Sequence, residues 1–371
     1  MNQPARIPAL DGIRGCAILM VTCYRFFQLS FPASHYGNFV GQLIKLGSLG
    51  VDLFFVLSGF LITSVLLDGK SQPMFFRRFF FRRTMRIFPL YFASLAIFLF
   101  LTPYFLGDGH MFAQGLVRQE YLWSYTTNLR MAWEGSWCFG YLDHFWTLAI
   151  EEQYYMAWPF VVYGFNARRL FWISMTLSIV CLIGRATFCY VSNNEVAGDV
   201  LTFFRFDGLL LGASVATVIR ISSDLGRLTR VAGGMLVGSI LVNSILFSQG
   251  GRLLEIPHTF VCVMWSALVL LVVSDSSKYR ISALFESPLL KNLGKYSYAM
   301  YVFQNPLIPI MESVLDPDEM SKTFFGGLIY SCLMIILTYG CAVVSWHCLE
   351  NWMLRLRDLA FRREKPTDQP M

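Results

Sequence analysis

The stretch from residue 45 to residue 104 constrains this chain more than any other. It contains two long apolar runs, 46–67 and 87–104. Five arginines separate the two runs: Arg77, Arg78, Arg82, Arg83 and Arg86. A run of about 20 apolar residues is long enough to cross the hydrocarbon core of a bilayer as a helix. Lys and Arg collect on the cytoplasmic side because their translocation is costly. The stretch therefore predicts two transmembrane helices joined by a short cytoplasmic connection that carries the arginines.

The composition of the whole chain is that of a membrane protein. Hydrophobic residues make up 55% of the 371 residues, charged residues only 15%, and the mean hydropathy is +0.51. The net charge of +6 could indicate nucleic-acid binding, but the cations lie in short connections between apolar runs, where membrane topology explains them. The sequence therefore predicts a multi-pass integral protein of the inner or plasma membrane, surrounded by lipid, with no nucleic-acid partner.

Ten apolar segments are predicted to be transmembrane helices. They begin near Gly15, Leu46, Ile87, Phe145, Arg169, Val200, Val231, Pro257, Leu293 and Phe324. Ten spans place both termini on one side, and the basic residues gather in the connections that would then be cytoplasmic. The predicted fold is all-α, with about ten transmembrane helices in residues 1–356. Residues 357–371 are predicted to form a polar, disordered cytoplasmic tail.

The cysteines give no sign of a disulfide framework or a metal site. The chain has nine cysteines and no CxxC pair, and eight of the nine lie in or beside apolar runs. Cysteines in such positions are expected to be small core residues. We therefore predict no bound metal.

Ionisable residues inside the predicted spans are candidate site residues, because a charge in the bilayer needs a partner or a function. Arg14 and Arg25 are eleven residues apart in the first span, which places them on one helical face about 16 Å apart along the axis. Asp52 in the second span is the natural partner of Arg25, and such a pair is as readily structural as catalytic. The small residues Ser58 and Gly59 predict a break half-way along that span.

The segment HFWTLAIEEQYYMAWP contains a second group of candidates. Two adjacent carboxylates, beginning at Glu151, cannot face lipid, so the segment is expected to line a polar interior. His144 and Glu151 are seven residues apart and share a helical face. A structural ion pair of Glu151 with Arg14, Arg83 or Arg205 and a functional role are equally open alternatives.

Arg83 and Arg86 form a third group. They are three residues apart and therefore share a helical face at the predicted cytoplasmic mouth. Guanidinium groups bind phosphate in a bidentate manner, so this pair would suit a polyphosphate-bearing donor. Anchoring by the positive-inside rule is the alternative interpretation.

Seven segments in a fixed order carry a resemblance to a known family. They are LDGIRG, GVDLFFVLSGFLIT, RRTMRIFPLYF, HFWTLAIEEQYYMAWP, RFDGLLLG, LGKYSYAMYVFQNPL and LENWM. Together they resemble the acyltransferase-3 family of integral membrane O-acyltransferases, from Ile7 to about Leu356. The resemblance implies transfer of an acyl group, commonly acetyl, from cytoplasmic acyl-CoA to a hydroxyl of a carbohydrate or cell-envelope glycan. It also implies that Arg83 and Arg86 bind the CoA phosphates and that Arg14 is the arginine of the first-helix motif.

The chain departs from the family at two positions. Arg25 and Gln304 stand where histidines are usual. A guanidinium, with a pKa above about 12, cannot accept a proton from a sugar hydroxyl. The base is therefore expected among His144, Glu151 and Asp52, with Arg25 stabilising the oxyanion.

Three functions are compatible with these residues. The first, which we predict, is acyl transfer, with acyl-CoA as the donor substrate, a glycan or lipid-linked sugar as the acceptor and no tightly bound cofactor. The second is a pseudoenzyme that binds acyl-CoA or a glycan without turnover. The third is a transporter of a small anion or lipid-linked sugar that uses Arg25 as a counter-charge. Acyl transfer requires that a tunnel past Arg83 and Arg86 meets the cavity that holds Arg25 and Glu151.

Overall fold

The chain folds as a bundle of helices. A computed structural model describes residues 7–32, 40–106, 111–192, 194–248, 257–274 and 281–362. These residues contain helices and turns but no β-strand. The predicted all-α fold is confirmed. Residues 363–371 of the predicted tail lie outside the described residues.

Ten helices of 17 or more residues occur in the described parts of the chain. They are α1 (Pro8–Ser30), α2 (Leu49–Gly69), α3 (Phe75–Ala96), α4 (Trp146–Gly164), α5 (Ala167–Ser192), α6 (Thr202–Ile221), α7 (Leu225–Ser248), α8 (Pro257–Ser274), α9 (Pro288–Gln304) and α10 (Phe324–Ser345). A shorter helix, α11 (Asn351–Arg362), follows α10 after a π-helical turn, Trp346–Glu350. It therefore includes the first six residues of the predicted tail.

Short helical segments connect these long helices. They are Leu46–Ser48, Ile97–Leu101, Thr102–Leu106, Ala113–Val117, Gln119–Trp123, Thr127–Glu134, Gly140–Phe145, Glu195–Val200, Ile281–Leu284, Leu307–Glu312 and Pro317–Ser321. Five of them lie between α3 and the turn Gly140–Phe145 that leads into α4, in place of an extended loop.

Six helical stretches in the described residues are long and apolar enough to cross a membrane. They are Val40–Gly69, Phe75–Tyr104, Ala167–Ser192, Glu195–Ile221, Leu225–Leu246 and Phe324–Arg357. The stretch His258–Ser274 is apolar but shorter. These helices indicate that the chain is an integral membrane protein. The count of ten spans and the cytoplasmic position of the termini remain predictions.

The five arginines after the first apolar run lie on a helix. α3 begins at Phe75, so all five arginines lie within its first twelve residues, and the connection from α2 is only residues 70–74. Pro73 and the left-handed Met74 (φ 55°) form this turn, whereas the segment that follows lacks Gly and Pro for more than three turns. The prediction that the arginines form the connection is wrong, because the helix continues beyond its apolar part.

The small residues of α2 mark a helix crossing. α2 continues without interruption through Ser58 and Gly59, so the predicted break there is wrong. A Cβ atom at Gly59 would lie 1.9 Å from the carbonyl oxygen of Leu209, and one at Gly212 would lie 2.0 Å from that of Val56. The backbones of α2 and α6 therefore touch, which only glycine permits.

A second close crossing joins the first helix to α9. A Cβ atom at Gly15 would lie 2.0 Å from the carbonyl oxygen of Leu290, and one at Gly294 would lie 1.8 Å from that of Asp11. The glycines of the LDGIRG and LGKYS segments are therefore packing residues. They fix α1 against α9 beside the cavity described below.

The cysteines are all free thiols. Cys138, Cys181 and Cys262 are buried, as expected of small core residues, whereas Cys332 and Cys348 are exposed on the helix surface. For these last two the prediction of a core position is wrong, because an apolar segment that faces lipid has the same composition as one that faces the core.

Candidate active site

A cavity of about 840 Å³ lies between the helices that carry the candidate residues. Its walls come mainly from α1, α2, α3, α4, α9 and α11. Cavities that bind small molecules usually measure about 300–1,000 Å³. The cavity is therefore large enough to accept a substrate of that size.

Three of the predicted site residues present positive charge to this cavity. Arg14 on α1 and Arg83 and Arg86 on α3 all line it. Within the described residues none of the three forms an ion pair with a carboxylate. The guanidinium of Arg83 lies over the ring of Tyr155, 4.6 Å from its centroid. The charges of Arg14 and Arg83 act on Arg86, so this part of the cavity attracts anions. Carboxylates also line the cavity: Asp11, Asp68, Glu151, Glu152 and Glu350.

Glu151 lines the same cavity and belongs to a chain of hydrogen bonds. The hydroxyl of Tyr155, one helical turn further along α4, donates to Oε2 of Glu151 at 2.9 Å. The hydroxyl of Ser58 on α2 is hydrogen-bonded to the Tyr155 hydroxyl. Ser58 and Tyr155 also line the cavity. The structure thus brings Glu151 together with the three arginines in one cavity. This is one part of what the acyl-transfer hypothesis requires.

The inner wall of the cavity is formed by Thr147 and Tyr301. Their hydroxyl groups are 2.6 Å apart, and both lie within hydrogen-bonding distance of the backbone carbonyl oxygen of His144, Tyr301 at 2.9 Å and Thr147 at 3.2 Å. Their two protons therefore serve two of these three contacts. The His144 ring packs against the ring of Tyr301, with centroids 5.4 Å apart. His144 does not line the cavity in the described residues. It lies behind the inner wall.

The His144 side chain is not poised to accept a proton from a ligand in the cavity. Its Nε2 is 3.3 Å from the carbonyl oxygen of Val302, so Nε2 carries the proton and donates it. Nδ1 is buried without a hydrogen-bond partner among the described residues. Burial, assisted by the charge of Arg25, lowers the pKa of His144 to about 3. The ring is therefore neutral at pH 7.

Arg25 also lies outside the cavity. Its Nε donates to Oδ1 of Asn305 at 2.7 Å. One turn earlier on α1, the Thr22 hydroxyl is 3.5 Å from Oε1 of Gln304. The two positions where the family usually has histidine are therefore adjacent, between α1 and the end of α9. The expected meeting of Arg25 with Glu151 in one cavity is wrong in this structure, since Arg25 is absent from the cavity lining.

Asp52 pairs with residues that the sequence did not suggest. Its Oδ1 is 2.6 Å from a terminal nitrogen of Arg205, and its Oδ2 is 3.3 Å from Nδ1 of His258. The predicted pair with Arg25 is therefore wrong. The cause is the close crossing of α2 with α6, which places Arg205 beside Asp52. Both side chains are buried and neither lines the cavity.

The Arg205 pair continues into a buried polar network away from the cavity. Asp207 accepts from Arg185 at 3.2 Å and from the Thr259 hydroxyl. The alternative of an ion pair between Glu151 and Arg205 is wrong, because Arg205 on α6 pairs with Asp52 on α2. Arg185 was missed, although a single cation in the apolar segment of α5 is the same signal that identified Arg25.

These features define a class of protein. The chain is an integral membrane protein in which a cavity holds an anion-attracting cluster of arginines beside Glu151 and the hydroxyl groups of Ser58 and Tyr155. A family model described as an acyltransferase domain matches residues 7–347. The chain therefore belongs to the acyltransferase-3 family, and the resemblance drawn from its motifs is confirmed.

The relatives of the chain include proteins named as O-acetyltransferases. It is similar to YrhL of Bacillus subtilis, provisionally named a peptidoglycan O-acetyltransferase, with 30% identity over 93% of this chain and 54% of the relative. It is also similar to the peptidoglycan O-acetyltransferase OatA of Listeria monocytogenes, with 25% identity over 93% of this chain and 55% of the relative. The O-acetyltransferase OatA of Staphylococcus aureus is 24% identical over 95% of this chain and 58% of the relative.

The chain spans a little more than half the length of each of these relatives. No solved structure matches it significantly.

Proposed function

We propose that this chain transfers an acyl group, in the first instance acetyl, from acyl-CoA to a hydroxyl of a cell-envelope glycan. The observation that carries the proposal is the convergence of Arg14, Arg83, Arg86 and Glu151 in one cavity. The arginines suit the phosphates of CoA, and the carboxylate suits proton transfer at the reacting hydroxyl. In this proposal CoA is a donor substrate that leaves after each turnover.

The donor site is assigned to the arginines because of their chemistry and spacing. Arg83 and Arg86 lie one turn apart on α3, and Arg14 faces them from α1, so a chain of phosphates can contact more than one guanidinium at once. We place this end of the bundle, with both termini, on the cytoplasmic side of the cell membrane, and we retain ten membrane spans. Support comes from the basic residues of α3 and from the ten long helices.

Among the three candidates for the general base, the geometry favours Glu151. It is the only one of the three that lines the cavity within the described residues. Asp52 is engaged by Arg205 and His258, and His144 lies behind the inner wall. We assign Asp52 to the stability of the bundle.

Arg25 and His144 are assigned to positioning. Arg25 is close enough to His144 and Tyr301 for its charge to act on both. The Tyr301 hydroxyl is in turn bonded to the His144 backbone. Any stabilisation of an oxyanion by Arg25 must therefore act across Tyr301. Arg25→His should raise the rate of transfer while leaving CoA affinity unchanged.

The acceptor is proposed from the relatives. Two of them are named for O-acetylation of peptidoglycan, so a hydroxyl of a peptidoglycan sugar, free or lipid-linked, is the first acceptor to test. The alternative is a pseudoenzyme, which the replacement of two family histidines by Arg25 and Gln304 favours. Binding of acyl-CoA without turnover would distinguish the pseudoenzyme from an active acyltransferase.

The test uses the full chain, purified in lipid nanodiscs, with radiolabelled acetyl-CoA and soluble peptidoglycan fragments. We expect label in the glycan and release of free CoA, and both should be lost in Glu151→Gln. Glu134→Gln is the matched control, because that carboxylate is engaged by Arg118 and Arg130 outside the cavity. CoA binding with neither transfer nor hydrolysis would favour the pseudoenzyme over the enzyme. No CoA binding at all would refute the donor site.

A further inference from the structure

Ser58 occupies a position in the cavity that no part of the mechanism above uses. It projects from α2 towards α4, and its hydroxyl is hydrogen-bonded to that of Tyr155. Gly59, the next residue, lets the α2 backbone touch α6, so the position of Ser58 is fixed by a backbone contact. The hydroxyl is partly accessible and faces the same cavity as the arginines.

The hydrogen bonds around Ser58 have a direction. The Tyr155 proton is directed to Oε2 of Glu151 at 2.9 Å, which leaves the Tyr155 oxygen free to accept a proton from Ser58. A hydroxyl linked through one intermediate group to a carboxylate is the arrangement that activates an oxygen nucleophile. The guanidinium of Arg83 lies over the Tyr155 ring, so the cationic cluster adjoins this chain.

From this geometry we propose that Ser58 is the nucleophile of a two-step transfer and carries the acyl group as an ester. This inference rests on the proposed function, since it takes an acyl thioester as the donor. It adds a covalent intermediate and a relay, in which Ser58 is the catalytic residue, Tyr155 passes the proton and Glu151 holds it.

In the first step the Oγ atom of Ser58 attacks the thioester carbonyl carbon. The new Oγ–C bond forms and the C–S bond breaks. The Ser58 proton moves to the Tyr155 oxygen as the Tyr155 proton moves to Glu151. CoA leaves as the thiolate and takes a proton back along the same relay, so that it departs as the free thiol.

In the second step the acceptor hydroxyl attacks the Ser58 ester. Its proton passes to Glu151 through Tyr155, the bond between the acyl carbon and Oγ breaks, and Ser58 regains a proton from the relay. The sum of the two steps is a thioester and an alcohol giving a thiol and an ester. Because the donor leaves before the acceptor enters, a single cavity serves both substrates.

The experiment is to trap the ester. The full chain in nanodiscs is mixed with acetyl-CoA without an acceptor, quenched in acid, digested and analysed by peptide mass spectrometry. We expect one added acetyl group on the peptide that contains Ser58. Ser58→Ala should abolish the adduct, and Ser58→Cys should restore one that is labile to hydroxylamine.

The matched control is Ser64→Ala. Ser64 lies on the same helix, but its hydroxyl faces Arg220 rather than a tyrosine and a carboxylate, so the adduct should persist. Tyr155→Phe retains the ring beneath Arg83 and removes only the relay. It should slow formation of the adduct by roughly 10²- to 10⁴-fold without changing CoA affinity.

The outcomes separate this inference from the proposed function. Acetyl transfer to glycan with no adduct on Ser58, and with Ser58→Ala fully active, would overturn the inference and leave the function standing. An adduct on another residue that survives in Ser58→Ala would likewise overturn it. CoA binding without hydrolysis, transfer or adduct would refute both.

Discussion

Replacement of Arg83 by alanine tests the donor site most directly. Arg83 lines the cavity, forms no ion pair within the described residues, and has its guanidinium stacked on Tyr155. The carboxylates of Glu151 and Glu152 are near enough for their charges to act on Arg83. Neither forms an ion pair with it among the described residues, so most of its interaction with a phosphate should appear in CoA affinity. The substitution breaks no ion pair among the described residues, so the fold should tolerate it.

The expected size of the effect follows from the kind of bond. A hydrogen bond to a charged group contributes about 1.5–3 kcal/mol, and a bidentate guanidinium–phosphate contact lies at the upper part of that range. At about 1.4 kcal/mol for each factor of ten, Arg83→Ala should raise the Kd for CoA about 10- to 150-fold. Arg83→Lys keeps the charge but loses the planar fork, so its Kd should fall between those of the wild type and the alanine variant.

The assay is isothermal titration of CoA into the chain in nanodiscs at low and high salt. Arg82→Ala is the matched control, because it removes the same charge from the neighbouring residue on α3, which is exposed and outside the cavity lining. It should change the Kd by less than about threefold. An unchanged Kd for Arg83→Ala, or an equal loss of CoA affinity for Arg82→Ala, would refute the reasoning. Membrane topology would then be the better explanation of the arginines.

Three further predictions concern the bundle. Asp52→Ala leaves the buried Arg205 without its 2.6 Å partner and should destabilise the protein by about 3–5 kcal/mol in thermal unfolding. Asp68→Ala, at a more exposed ion pair, should cost only about 0–1 kcal/mol. Equal losses of stability in the two variants would contradict this. Gly59→Val forces α2 and α6 apart and should destabilise the protein by about 1–3 kcal/mol. The loss of stability should be visible as a lower yield of monodisperse protein. Burial raises the pKa of Asp143, in the turn before α4, to about 6. The native state therefore retains a proton that the unfolded state releases near pH 4. As a result, the free energy of unfolding falls as the pH rises from 4 to 6. Asp143→Asn should remove about 3 kcal/mol of that decline, and an unchanged pH profile of the melting temperature would count against it.

The positions of the long helices followed well from the sequence. The predicted starts at Pro257 and Phe324 coincide with those of α8 and α10, and the predicted start at Leu46 is three residues from that of α2. The start at Ile87 was late by twelve residues, because the cationic turns of α3 are helical as well. Hydropathy locates the apolar part of a helix, whereas the helix itself ends only where a turn residue interrupts it.

The candidate site was predicted in part. Arg14, Arg83 and Arg86 were chosen by position and Glu151 by the cost of a carboxylate in a membrane helix, and the structure brings all four to one cavity. The roles of these residues stay predictions. The pairing of Asp52 was predicted wrongly, because depth in the bilayer says nothing about which helix is adjacent.

Ser58 shows why sequence reasoning was incomplete. Its neighbour Gly59 was noticed, but as the sign of a break, and the Tyr155 hydroxyl one turn beyond Glu151 was not singled out. The signal was present in the i,i+4 spacing of the acid and the tyrosine on α4. The third member comes from another helix, so only the packing of α2 against α4 joins it to them.

The sequence alone determined that this is an all-helical membrane protein, where its helices lie along the chain, and which family it resembles. These properties depend on the length, period and order of short segments, and all of them are local. Only the tertiary structure decided which charges meet: Asp52 with Arg205, Arg25 with Asn305, and Glu151 with the arginines across a shared cavity. The reason is physical, since an ion pair or hydrogen bond acts over a few ångströms and helix contacts at glycines set those distances.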